Sequence, residues 1–568
     1  VNHPNPAIVA QGAVRRIPRV ALLLFCVAYI LPGFIGREGW KTDDMASLGF
    51  MLELAHGSTN WFAPALLGVT PEYPGLLPYW IGAWAIQVAP AWIPPDFAVR
   101  IPFGVLMALT LVAVWYGTYY LARSPKAQPV AFAFGGEALP TDYARALADA
   151  GLLAFIGCLG LAQLSHETTP ALTQVACAAL FFYGVSALPY RRLPSTLSIM
   201  VGLAGLALSG APVLASLFGL GAALIHLADR SSTDSPPANG SVRSWETLAI
   251  AAFTAGLAVI TWKLDLWRWK IELPTSWRAE LSGYFELLVW FTWPAGPLTL
   301  WTLWRWRHQL WNRSISRHLA MPAWIVGVVT ISTFSTGSSD RNLLVALPAF
   351  ATLAAFALPT LKRQVASLID WFTLLFFSTC GVTIWIVWFA MKTGFPQQPA
   401  ANVARLAPGF EPSFSLLAFG LAVLATLAWA WLVKWRVGRH RAAIWKSLVL
   451  PGCGAALCWL LLMTLWLPLL NYTQSYLPLV RQVTLALGKS PCAQVQNLRP
   501  GTIAAIGYYG QLKLETAGAD SKCNWLLTGP EDNPQVPLDV NLSIWKLNTS
   551  AIHPADGNLS VLIFQRSR

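Results

Sequence analysis

Asp43 and Asp44 stand side by side shortly after the first apolar run, in a chain with only 26 acidic residues among 568. Such a carboxylate can simply cap a helix, and Asp44 ahead of an amphipathic run is an ordinary helix start. It can also take a proton from a hydroxyl that attacks a carbon bearing a phosphorylated leaving group. The cations that this chemistry needs fall at the same, outward level: Arg37, Lys41, Arg268, Lys270 and Arg341. Arginine suits a phosphate because its planar fork binds two oxygens at once. His166 and Glu167, within SHETTP, mark another outward helix end, and Asp340 beside Arg341 offers a local ion pair as the bland alternative. Glu72 and His166 have the donor types of a divalent-cation site, but no C-x-x-C or H-E-x-x-H spacing accompanies them.

The elements that must position these residues are membrane spans. The chain is 55% hydrophobic and only 11% charged, where soluble domains carry roughly 25% charged residues. A net charge of +13 could suggest nucleic acid, yet the Lys and Arg residues cluster between apolar runs, as orientation signals do. The first run, 20–34, ends in PGFIGREGW without a small-residue cleavage site and reads as an anchor. Arg15, Arg16 and Arg19 put its start in the cytoplasm, so the loop 37–99 lies outside, with interfacial helices expected at 44–56 and 76–88. Further spans are expected at 101–121, 148–164, 171–188, 194–208, 213–227, 247–262, 287–303, 320–334, 343–358, 368–391, 413–433 and 444–470. That is about 13 spans, N-terminus inside and C-terminus outside. One basic loop, 263–286, opposes the orientation rule and so invites another use; its Trp267, Trp269 and Trp277 alternate with cations.

Residues 1–470 thus form a transmembrane domain and 471–568 a small outer α/β domain. Within the latter, GTIAAIGYYG, CNWLLTG, NLSIWKL and SVLIF read as strands and 472–487 as a helix. Six cysteines lie in apolar runs and act as small hydrophobes; Cys492 and Cys523 lie in the polar region and can pair in an oxidising compartment. No phosphate-binding glycine loop, soluble repeat or nucleic-acid signature is present, so the expected partners are membrane lipids rather than nucleic acid.

The order of motifs resembles bacterial membrane glycosyltransferases of the GT-C type, related to protein O-mannosyltransferases and to the aminoarabinose transferase of lipid A. TDDMASLGFMLELAHGSTNW followed by EYPGLLPYW is similar to their first outer loop, and its tyrosine is Tyr79. Arg100 and Pro102, the L-A-R at 121–123, LALSGAP at 206–212 and FSTGSSDRNLLVALPAFATL at 334–353 follow in the family's order. The pair is Asp-Asp where the family has Asp-Glu, and spacing to Trp61 favours Asp44 as the matching base. Two lysines of the pattern are replaced, one within Tyr73-Pro74-Gly75 and one by Ser209.

The resemblance implies a polytopic GT-C fold in a bacterial inner membrane with its active face in the periplasm. It implies an inverting transferase whose donor is an undecaprenyl-phosphate-linked sugar and whose acceptor is a lipid A, glycan or protein hydroxyl. Asp44 or Asp43 would be the base. Arg341, with Arg268, Lys270 or Lys41, would bind the phosphate, while Tyr79, His166 and Glu167 line the substrate cavity. Glu72 and His166 would shape that cavity or hold a divalent metal, and no other cofactor is expected. The competing classes are a transporter or flippase, which favours buried mid-membrane charges and inverted repeats, and a non-catalytic binding factor for polyprenyl-linked glycans.

Overall fold

The computed structural model describes residues 5–40, 42–229, 240–268, 277–310, 315–336, 340–438, 443–488, 492–518, 521, 523–529 and 540–567. Among these, seven helices are long and apolar enough to cross a membrane: Pro95–Ala122, Pro170–Ala187, Trp245–Lys263, Arg317–Ser335, Arg363–Thr393, Leu416–Arg436 and Lys446–Leu465. Arg363–Thr393, with 31 residues, extends about 46 Å, well beyond a hydrocarbon core of about 30 Å. Arg19–Phe34, Arg192–Leu208 and Pro212–Ala228 are shorter apolar helices.

Several expected spans are interrupted. The run 287–303 divides into Trp277–Thr292 and Ala295–Arg305 at Pro294, which has no N–H to continue a helical ladder. The run 343–358 divides into Asp340–Leu344 and Leu347–Ala357, and 148–164 into Pro140–Gly157 and Leu161–Leu164.

The chain forms two compact units, and the division does not fall at 470/471. One unit comprises 1–33, 103–382 and 422–461; the other comprises 34–102, 383–421 and 462–568. In the first, helices Pro170–Ala187 and Arg192–Leu208 approach backbone to backbone. A Cβ on Gly202 would stand 2.6 Å from Phe181 N and 2.8 Å from Cys177 O, the close approach that small residues allow in membranes. Helix Leu347–Ala357 is buried along its whole length. Its carbonyls Phe350 O and Leu353 O accept bonds from Thr299 and Thr302, at 3.1 and 2.7 Å, so these polar groups are satisfied without water.

The second unit carries a five-stranded sheet in the order β2-β1-β3-β5-β4. The strands are β1 (Cys492–Gln496), β2 (Lys513–Thr516), β3 (Trp525–Thr528), β4 (Trp545–His553) and β5 (Asp556–Arg566). β1 runs parallel to β2 and β3, while β5 is antiparallel to β3 and β4. The segment GTIAAIGYYG is a helix, Pro500–Gly510, and not a strand. Pro500 suits its first turn, and the parallel β1–β2 pair needs a crossover that a helix supplies. The expected helix 472–487 is two helices, Leu467–Gln474 and Leu477–Leu487, separated at Ser475. Cys492 and Cys523 are joined, with S–S 2.03 Å. Helix Asp43–His56 lies on the Pro500–Gly510 helix so closely that a Cβ on Gly49 would stand 2.6 Å from Ala504 Cβ.

Candidate active site

The acidic pair opens helix Asp43–His56, where the positive end of the helix dipole favours carboxylates. The two aspartates differ. Asp43 is half-buried, whereas Asp44 is only 4% exposed. Asp44 Oδ2 accepts from Arg37 Nη2 at 3.2 Å and from the Trp40 backbone N–H at 3.3 Å. The Arg37 guanidinium is itself buried and lies 4.0 Å over the Trp40 ring. Asp44 therefore reaches back across the loop to a cation instead of capping its own helix. The loop is held by Asn471, whose Oδ1 accepts from Trp40 Nε1 at 3.0 Å and Glu38 N at 3.2 Å, while its Nδ2 donates to Gly36 O at 3.0 Å.

Beside this strap is a cavity of about 560 Å³, lined among others by Glu38, Glu411, Asn471, Tyr472 and Arg481. Burial pushes the Glu38 carboxyl up, against a hydrogen bond from Ser475 and the charges of Arg481 and Arg100. Glu38 escaped the sequence reading. Its one signal was an acidic residue directly after the first span, six positions before Asp44. The cavity is concave, mixes polar with apolar lining, and is large enough for a small ligand. Tyr79 is not part of this lining: it is 2% exposed and packs against Phe50 with ring centroids 5.4 Å apart. Glu72 is exposed.

The second group of expected residues lies in the other unit. Arg341 Nη2 meets Glu167 Oε2 at 3.1 Å, and Gln163 Nε2 donates to Glu167 Oε1 at 3.4 Å. Among the described residues the neighbour Asp340 accepts the Arg341 backbone N–H, at 2.8 Å, and the side-chain partner of Arg341 is Glu167, 174 positions away, in place of the local pair that was the bland alternative. Glu167 is buried and the Arg341 side chain 20% exposed, which leaves the guanidinium able to meet an anion.

His166 is buried, its ring 4.7 Å from that of Trp459. Its Nδ1 faces Ala162 O and Ser165 Oγ, and its Nε2 faces Tyr29 O at 3.1 Å. Both nitrogens are committed to protein oxygens, so the arrangement does not fit a metal ligand. Among the described residues no group of three or more His, Cys, Asp or Glu side chains could hold a metal ion. Arg268 pairs with Asp265 at 2.6 Å on an exposed surface, a contact worth little. Lys41 and Lys270 lie outside the described residues.

No family model and no curated protein matches the sequence. Solved structures do match. ArnT from Cupriavidus metallidurans bound to undecaprenyl phosphate superposes with a TM-score of 0.57 at 12% identity, covering 96% of this chain and 98% of that one. The same protein in the apo state gives 0.56 and 12%, covering 96% of each chain. The chain has the GT-C fold. It is a polytopic helical membrane protein whose C-terminal part carries a small sheet, as the motif order led us to expect. At this identity the GT-C likeness concerns the fold, so the roles of individual residues rest on their own geometry.

Proposed function

We propose that the protein is an inverting glycosyltransferase of the bacterial inner membrane. It would move a sugar from an undecaprenyl-phosphate-linked donor to a hydroxyl of a lipid, glycan or protein on the periplasmic face. The observation that carries this reading is the GT-C fold shared along 96% of the chain with a protein solved with undecaprenyl phosphate. The buried Arg37–Asp44 pair supports it at the position where the motif order expects a base.

The acceptor hydroxyl attacks the anomeric carbon as its bond to the phosphate oxygen breaks. The hydroxyl proton passes to Asp44, and the departing undecaprenyl phosphate gains a negative charge. Arg37 and the Trp40 N–H hold the Asp44 carboxylate in one orientation, which makes it a positioned base. Arg341, oriented by Glu167 within its own unit, is the candidate for the lipid phosphate on the motif order alone. Asp43 is the lesser candidate for the base because it is half-buried at the turn. No step requires a metal.

The test is release of undecaprenyl phosphate and labelling of acceptor by the purified protein, reconstituted with a panel of undecaprenyl-phosphate-linked sugars. Asp44→Asn is expected to abolish transfer and Asp43→Asn to retain most of it. Transfer that survives the double change removes the base assignment. Movement of the lipid-linked sugar across the bilayer without release of undecaprenyl phosphate would make the protein a transporter.

A further inference from the structure

Tyr and Trp residues on helix Pro95–Ala122 form a row that ends on a cation. Trp115, Tyr119 and Arg123 recur every four residues and so share one helical face. Trp115 and Tyr119 stack with ring centroids 5.6 Å apart and planes within 6°. The Arg123 guanidinium sits 5.9 Å from the Tyr119 ring and 5.0 Å from that of Tyr190, a cation–π clamp that fixes its fork. This row is one wall of a cavity of about 300 Å³, whose lining also includes Arg19, Arg145 and Arg191. Among the described residues, four arginines line it and no carboxylate does.

Arginines with structural roles nearby have carboxylates. Arg16 meets Asp142 at 2.6 Å and Arg317 meets Asp229 at 4.0 Å. Among the described residues, none of the four lining arginines has an ion pair within 4.0 Å. Asp149 and Asp142 lie within electrostatic reach of Arg145, but Asp149 is engaged by Trp115 Nε1 at 2.9 Å and Ile17 N at 3.2 Å, and Asp142 by Arg16. Four like charges around one concavity repel, and an anion seated there removes that repulsion.

This place is separate from the Arg341–Glu167 group. Arg19 begins helix Arg19–Phe34, while Gly33, near its other end, lies against His166, next to Glu167 in sequence. Fourteen helical steps separate the two ends by about 21 Å. Orientation signals alone would scatter basic residues over the surface. A concave, aromatic-walled set with one clamped fork is instead the form of a headgroup site.

We propose that this cavity binds a phosphate or diphosphate group, at the opposite end of helix Arg19–Phe34 from the Arg341–Glu167 pair. A cavity of this size seats a headgroup and not an acyl chain. The chemistry is shared by an anionic lipid and by soluble pyrophosphate. The proposal does not rest on the transferase reading, since binding is measured without any sugar donor.

The full-length protein is titrated with cardiolipin, with phosphatidylcholine as the neutral comparison, by native mass spectrometry, and with inorganic pyrophosphate by calorimetry. Wild type is expected to take cardiolipin or pyrophosphate. The Arg123→Gln/Arg145→Gln pair is expected to bind about tenfold more weakly or worse, because two charge-assisted contacts are lost. Arg192→Gln, an exposed arginine facing Glu246 at 3.6 Å, is expected to bind as wild type. Cardiolipin binding alone assigns a lipid headgroup, and pyrophosphate binding assigns a soluble phosphate. If wild type binds neither, or if Arg192→Gln weakens binding as much as the pair does, the proposal is overturned. Should the paired variant fail to give a monodisperse protein, Arg145→Gln alone decides: severalfold weaker binding supports the site and unchanged binding overturns it.

Discussion

Replacing Arg37 by Met removes the cation facing Asp44 while keeping most of the side-chain volume. Both partners are buried, with side-chain exposures of 1% and 4%, and their atoms are 3.2 Å apart. At an effective dielectric of about 20, charges at that separation attract by about 5 kcal/mol. Most of this offsets the cost of desolvating the two groups, so the pair is not a large net stabiliser. Removing one partner is a different matter, because the surviving carboxylate stays buried without the guanidinium that faces it, while the Trp40 N–H remains at 3.3 Å. The expected loss is about 3–5 kcal/mol for either Arg37→Met or Asp44→Leu. The double variant Arg37→Met/Asp44→Leu should recover much of it, since no charge is then buried alone. Thermal unfolding of the purified protein in detergent, followed for all four members of the cycle, measures this. Single changes that each cost under about 1 kcal/mol would mean the pair behaves as a solvated surface contact, and the reasoning from burial would be refuted.

Arg341→Gln should lower the rate of transfer by about 10²–10³, as expected when a donor to the developing charge is removed; Glu167→Gln should do less, and transfer assays on both variants give the order. Burial raises the Glu38 carboxyl above its ordinary 4.5, so its contribution to stability is present below the ordinary value and is lost as pH rises through the raised one. Glu38→Gln should therefore raise the melting temperature at pH 7, and the gain should vanish near pH 4. Cys492 and Cys523 are 31 positions apart, and closing such a loop is worth about 3–4 kcal/mol in the chain-entropy account. Cys523→Ser or reduction should lower the melting temperature accordingly, with native-gel mobility under reducing and oxidising conditions as the check.

Composition and patterning alone determined that this chain lives in a membrane, because apolar runs bounded by cationic clusters reflect the solvent that each segment meets. The acidic pair after the first run and the two cysteines of the polar region were legible for the same local reason. Tertiary structure decided what a local pattern cannot carry. Arg37 was seen to meet Asp44, and Arg341 was seen to meet Glu167, 174 positions away. GTIAAIGYYG alternates no more like a strand than like a helix; the parallel β1–β2 crossover made it helical. Glu38 and Asn471, 433 positions apart, meet only because the chain brings the loop after its first helix and its last helices into one unit. Periodicity records which face of a segment is buried. Ion pairs, straps and cavities depend on which segments are brought together, and packing sets that.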